Sequence, residues 1–152
     1  MQANKQNNPF RRAKKNRKMK SISARATRGL NIGAVVNAAD NSGAKIVRIV
    51  AVKGGKVTRG RQIYAKIGDR VKVSVKKGTP ELRKQVLDAV VVRLKKEYRR
   101  LTGERISFSD NAVVILKDDK SGDPKGTQVK GPIAKEITER WPEITKIAGV
   151  VV

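Results

Sequence analysis

The chain has no cysteine and no histidine, and no acidic residue precedes Asp40. Without these side chains, disulfides, zinc fingers and histidine acid–base catalysis are excluded together, which removes most enzyme mechanisms. Aromatic residues are almost as scarce. Phe10, Tyr64, Tyr98, Phe108 and Trp141 are all there are, too few to build the paired stacking platforms of single-strand binders. No apolar run approaches the roughly 18 residues of a membrane span, and no basic helix has a broad apolar face. The first apolar stretch of any length comes after residue 30, so no signal peptide is visible and a soluble, cytoplasmic protein is expected.

What is present is positive charge. The 152 residues include 36 Lys and Arg against 13 Asp and Glu, a formal net charge of +23. Self-repulsion on this scale is relieved when cations neutralise phosphates and release condensed counterions, so the natural partner is a nucleic acid. The length allows one domain plus an appendage.

Residues 1–30 read as the appendage. Ten basic groups precede Asp40, among them Arg11, Arg12, Lys14, Lys15, Arg17 and Lys18. Phe10, Met19 and Ile22 are too few to offset a backbone ordering cost of about 1–2 kcal/mol per residue, so the arm is expected to be disordered when free. It is either a solvated tail or an extension that orders on RNA. Residues 31–152 read as the folded domain.

That domain opens with 33–39 and 45–53 as a hairpin around Asp40-Asn41-Ser42-Gly43. Lys53, Lys56, Arg59 and Arg61 mark a basic loop framed by glycines, and 63–66 begins a third strand. Residues 70–77 alternate, with Val71, Val73 and Val75 on one face and Arg70, Lys72, Ser74 and Lys76 on the other, the pattern of a half-buried strand. Val86 to Val92 reads as a strand buried on both faces. It runs without a break into Arg93, Lys95, Lys96, Tyr98, Arg99 and Arg100, a cationic segment carried on a rigid base. Residues 105–109 and 112–117 end the series. Short strands at about ten-residue spacing indicate a small closed barrel or a sandwich, and the barrel is preferred.

Residues 132–141 read as a helix with Pro132 in its first turn, Ile133, Ile137 and Trp141 on one face, and Pro142 as its stop. The end of the chain, with Ile147, Val150, Val151 and Val152, is either a final core element or a patch covered by a neighbouring protein.

The chemical motifs are weak. Gly54-Gly55-Lys56-Val57-Thr58 lacks the glycine spacing and hydroxyl of a phosphate-binding loop. Asp118 to Asp123 lacks the terminal glutamate of a calcium loop and holds a lysine inside the cage. Asp40, Asp69, Asp88, Asp110 and Glu136 form no paired carboxylate motif; Asp40-Asn41 and Asp110-Asn111 read as turn formers. An enzyme, a metal site and a cofactor are therefore not expected. Four separate basic clusters instead point to contact with folded RNA through backbone and shape. A free-standing basic nucleic-acid-binding protein is the alternative.

Asp40-Asn41-Ser42-Gly43-Ala44-Lys45, Val73-Ser74-Val75-Lys76-Lys77 and Ala89-Val90-Val91-Val92-Arg93 occur in that order. Phe108-x-Asp110-Asn111-Ala112, Gly126-Thr127 and Gly131-Pro132-Ile133-Ala134-Lys135-Glu136 follow. Together they resemble the universal large-subunit ribosomal protein fourteen family over about residues 31–148, with an archaeal flavour in Gly78-Thr79-Pro80 and the arm. The resemblance implies a mainly β protein, a closed five-stranded barrel with short C-terminal helices, bound to large-subunit (23S) rRNA at the subunit interface. It also implies bridges to small-subunit (16S) rRNA, neighbours in ribosomal proteins three and twenty-four-e, and docking of anti-association factor six. Lys45 and the 93–100 segment become RNA-contact candidates. The helix with the terminal residues becomes a protein contact. Thr102 before Gly103 and a short 53–61 loop depart from the family pattern.

Overall fold

The computed structural model describes residues 20–118 and 122–152, so the arm candidates from Arg11 to Lys18 lie outside the described residues. In chain order the strands are β1 (Ala24–Arg25), β2 (Leu30–Asn31), β3 (Val35–Ala38), β4 (Ala44–Val52), β5 (Tyr64–Ala65), β6 (Arg70–Gly78) and β7 (Val86–Arg93). Then come β8 (Tyr98–Arg100), β9 (Arg105–Ile106), β10 (Ala112–Ile115) and β11 (Val129–Ile133). Helices α1 (Lys135–Arg140) and α2 (Pro142–Lys146) and strand β12 (Ala148–Val151) complete the chain.

Five strands close into a barrel in the order β10-β3-β4-β6-β7. Each neighbouring pair is antiparallel except β10 with β3, the parallel seam that closes the ring. β-Branched side chains fit a pleated, crowded wall, and Val36, Val47, Ile49, Val71, Val73, Val75 and Val113 are all buried in the core. Strand β10 is buried throughout and β7 from Ala89 onward, so these two walls lie under other parts of the chain. The hairpin of β3 and β4 and the alternation of β6 match the sequence expectation.

Other expectations are corrected. The stretch 63–66 contributes only β5, which pairs with β2 outside the barrel. Residues 105–109 contribute only β9, paired with β8 in a small sheet of order β1-β8-β9. The helix begins at Lys135, not at Pro132. Pro132 and Ile133 belong to β11, which pairs with β12, an outer position where a residue lacking an N–H is tolerated. Pro142 does not end a helix; it opens α2 at the first position, where its missing N–H costs nothing. Residues 20–30 also lie on the body: β1 pairs with β8, Leu30 is buried, and Ser23 donates through N and Oγ to Glu139 Oε2.

Candidate nucleic-acid interface

The β4–β5 loop and the excursion from Leu94 to Asn111 leave the barrel at the same end, because β4 and β7 both exit there. Within that excursion, residues 98–100 are a strand, and strand geometry sends alternate side chains to opposite faces. Tyr98 and Arg100 point inward and Arg99 points out. Tyr98 donates its hydroxyl to Glu136 Oε2 at 2.7 Å, and Arg100 Nε donates to Glu136 Oε1 at 2.8 Å. Arg100 Nη2 also donates to the Val152 carbonyl at 2.7 Å. Burial tends to raise the Glu136 carboxyl, but hydrogen bonds from Arg100 and Tyr98 outweigh it and hold the group below its ordinary range. Burial, then the adjoining carboxylate, pushes the Tyr98 phenol well up.

Arg93 is likewise engaged inside. Its Nε and Nη2 grip both oxygens of Asp110 at 2.7 and 3.1 Å, while Nη1 donates to the carbonyls of Lys130 and Pro132. The Arg93 hydrogen bonds draw the Asp110 carboxyl below its usual value. Gly131, at φ +81°, leaves room for this guanidinium: a Cβ there would sit 3.1 Å from Arg93 Nη1. Three members of the expected cationic segment, Arg93, Tyr98 and Arg100, are thus turned into the fold. Alternation along β8 turns Tyr98 and Arg100 inward, and the fold brings an acid partner within reach of each side chain, Glu136 for these two and Asp110 for Arg93.

The outward face is a different surface. Arg25 of β1 lies opposite Arg99 of β8, and Arg99 lies opposite Arg105 of β9. All three are exposed. Side chains directly opposite on one face have Cβ atoms about 4.5–5.5 Å apart, and like charges there repel. Among the described residues one acid, Glu97, pairs with this row, on Arg105 at 2.6 Å. Lys95 and Lys96 stand exposed beside it, with the Lys95 backbone fixed by donation to Asn111 Oδ1. In the β4–β5 loop Lys56, Arg59 and Arg61 are exposed, whereas Lys53 turns back to Asp88 at 3.1 Å. Lys45 is exposed on β4, toward the opposite end of the barrel. Arg25 and Arg105 escaped the sequence reading because their signal is register, which a single strand does not reveal.

The acidic turn formers do more than turn. Asp40 is buried, accepts from Ile115 N and Ser42 Oγ, and is raised by desolvation. Asn41 Oδ1 accepts from the amides of Thr127 and Gln128. They tie the first turn to the barrel seam and to the approach to β11.

Of the expected protein-contact residues, Ile133, Ile137 and Trp141 are core, with the Trp141 ring under the Arg70 guanidinium and its Nε1 donating to the Gly68 carbonyl. They are not surface. Ile147 is half-buried, and Val150, Val151 and Val152 are exposed.

A family profile described as ribosomal protein L14p/L23e matches residues 29–152. The chain belongs to this family. It is 56% identical to the large ribosomal subunit protein uL14 of Nanoarchaeum equitans over 134 residues, 88% of this chain and all of that protein. The corresponding proteins of Methanothrix thermoacetophila and Halorubrum lacusprofundi are 47% and 46% identical over the same shares. These relatives are archaeal, and the L14p/L23e family is one of structural, non-enzymatic ribosomal proteins. Membership implies a structural constituent of the large subunit.

Proposed function

We propose that this protein binds large-subunit rRNA directly and contributes to bridges with small-subunit rRNA, remaining ribosome-bound in the cytoplasm. The observation that carries the reading is the cross-strand row Arg25, Arg99 and Arg105. Three guanidiniums aligned on a rigid three-stranded sheet repel one another in the free protein, and a phosphate backbone laid across them converts that repulsion into attraction. Lys56, Arg59, Arg61, Lys95 and Lys96 extend the same surface; Lys45, toward the other end of the barrel, and the arm cations from Arg11 to Lys18, outside the described residues, are further RNA-contact candidates. The exposed Val150, Val151 and Val152 supply an apolar contact for a neighbour, for which ribosomal proteins three and twenty-four-e and anti-association factor six are the candidates.

Binding of the full chain to a large-subunit rRNA transcript, measured across a salt series, tests this. The expected slope of log K against log salt corresponds to about five or more phosphates at about 0.7–0.9 each. A slope of one phosphate or fewer, or a protein that stays in light fractions when native lysate is sedimented, overturns it.

A further inference from the structure

The barrel has a second basic site on the outer wall of β6, toward the end opposite the arginine row. Ser74, Val75, Lys76, Arg83 and Lys84 line an open cleft of about 390 Å³. Every ionisable group in that lining is a cation, and Ser74 adds a hydroxyl.

The strand pleat and one strained backbone position place those cations. Lys76 keeps the outward face of β6 that Lys72 and Ser74 share, at a point where pairing with β4 is irregular, Ile46 lying opposite Lys77 and Val47 opposite Val75. Across the cleft, Lys84 has φ +64°, the left-handed region that a residue bearing Cβ enters only at a cost. It is held there because its N–H donates to the Val75 carbonyl while Val75 N–H donates to Gln85. Glycine would adopt this conformation freely, yet lysine occupies it. Strain of this kind gathers where a side chain must be aimed.

The loop bearing Arg83 and Lys84 is firmly based. Leu82 is buried, Thr79 packs against the Gly43 turn, and the amides of Leu82 and Arg83 donate to the Thr79 carbonyl. The cleft also continues along the sheet. Arg48 lies opposite Ser74 on β4, and Lys72 precedes Ser74 by two on β6, where alternate side chains share a face about 6.6 Å apart.

Resting on the reading of the protein as an RNA binder, we infer that this cleft seats one backbone phosphate of RNA, giving the barrel RNA contacts at both ends. Arg83 and Lys84 close on the phosphate oxygens from the loop. Lys76 and Ser74 meet them from the strand, with Lys72 and Arg48 following the strand of nucleotides beyond.

The test is the double substitution Arg83→Gln with Lys84→Gly in the full chain, binding the same large-subunit rRNA transcript. Loss of one phosphate contact should lower the salt slope by about 0.7–0.9 and weaken binding about five- to eightfold at 0.1 M salt. Glycine at 84 relieves the left-handed strain, so melting should not fall. If the double variant does melt lower, Lys84→Gly alone is read against the same expectation. An unchanged slope in a folded variant, with the wild type still showing its multi-phosphate slope, overturns the cleft and leaves the rRNA reading standing. An unchanged rRNA slope accompanied by loss of a neighbouring protein from reconstituted subunits assigns the cleft to an acidic protein and also overturns it. A wild type with no salt slope overturns both readings.

Discussion

Tyr98 and Glu136, 38 residues apart, meet through a buried hydrogen bond of 2.7 Å, and Arg100 completes the charge balance from the same strand. This contact joins the β1-β8-β9 sheet to helix α1, so the surface carrying the arginine row is clamped to the body from beneath. Removing one partner of a buried ion pair leaves an uncompensated charge, a loss of about 3–5 kcal/mol. Arg100→Ala should therefore destabilise the fold by about 3 kcal/mol in denaturant titration, and Tyr98→Phe by about 1–2 kcal/mol, since Glu136 keeps Arg100. A cost below about 1 kcal/mol for Arg100→Ala would show that the pair is not a clamp.

Arg93 and Lys95 stand two residues apart and should behave oppositely. Arg93→Met strands Asp110 and two carbonyls, and is expected to cost about 3 kcal/mol of stability. The pair Lys95→Gln and Lys96→Gln should leave stability within about 0.5 kcal/mol and reduce the RNA salt slope. Gly131→Ala should mimic a milder Arg93 loss, about 1–2 kcal/mol, from its left-handed φ and the close guanidinium. Equal stability of the Arg93 and Lys95/Lys96 variants would refute the division.

Acid stability follows from three carboxyls. Glu136 and Asp110 lie below their ordinary values of 4.5 and 3.8 in the fold, so each stabilises above that range and loses the contribution as pH falls through the depressed folded value. Asp40 has the opposite sign: its folded value is raised, so its contribution is present below 3.8 and lost as pH rises through the raised value. Two groups oppose one, and net loss toward acid is expected. Comparing denaturant midpoints at about pH 3 and about pH 6 should show a smaller drop for Glu136→Gln and Asp110→Asn and a larger drop for Asp40→Asn than for the wild type. Identical drops in all four proteins would contradict these assignments.

Deleting residues 1–28 removes β1, the Ser23 bonds to Glu139 and the packing of Ile22, Ala24 and Ala26 against the core. Relative to a chain beginning at residue 20, this deletion should cost about 1–3 kcal/mol and lower the melting temperature. Coincident melting curves would mean that the segment contributes nothing to the body.

The barrel strands were legible because their message is simple: valine-rich runs and one clean alternation, punctuated by Gly and Asn. Residues 98–100 were not, because Tyr-Arg-Arg looks like a surface until a pairing partner assigns each side chain to a face. The burial of Arg93 depended on Asp110, which had an adequate local explanation as a turn former. Glu136 carried a usable signal, a lone acid between Ile133, Ala134 and Ile137, all buried. Pro132 suited a first helical turn and an outer strand equally, and only the β11–β12 pairing decided between them. Lys84 offered no sequence cue, since its left-handed backbone is imposed by hydrogen bonds to a neighbouring strand.

The parallel seam between β3 and β10 sets a timetable for synthesis. Asp40 and Ile115, which meet beside it, are 75 residues apart. At about 5–20 residues per second, a ribosome making this chain needs roughly 4–15 s to pass from one to the other. Throughout that interval the edge of β3 presents unpaired N–H and carbonyl groups, a template for pairing with other chains. The newborn protein is thus most vulnerable to self-association before its last barrel strand emerges, and slowing elongation within residues 41–111 should raise the aggregated fraction of new chains while mature protein stays soluble.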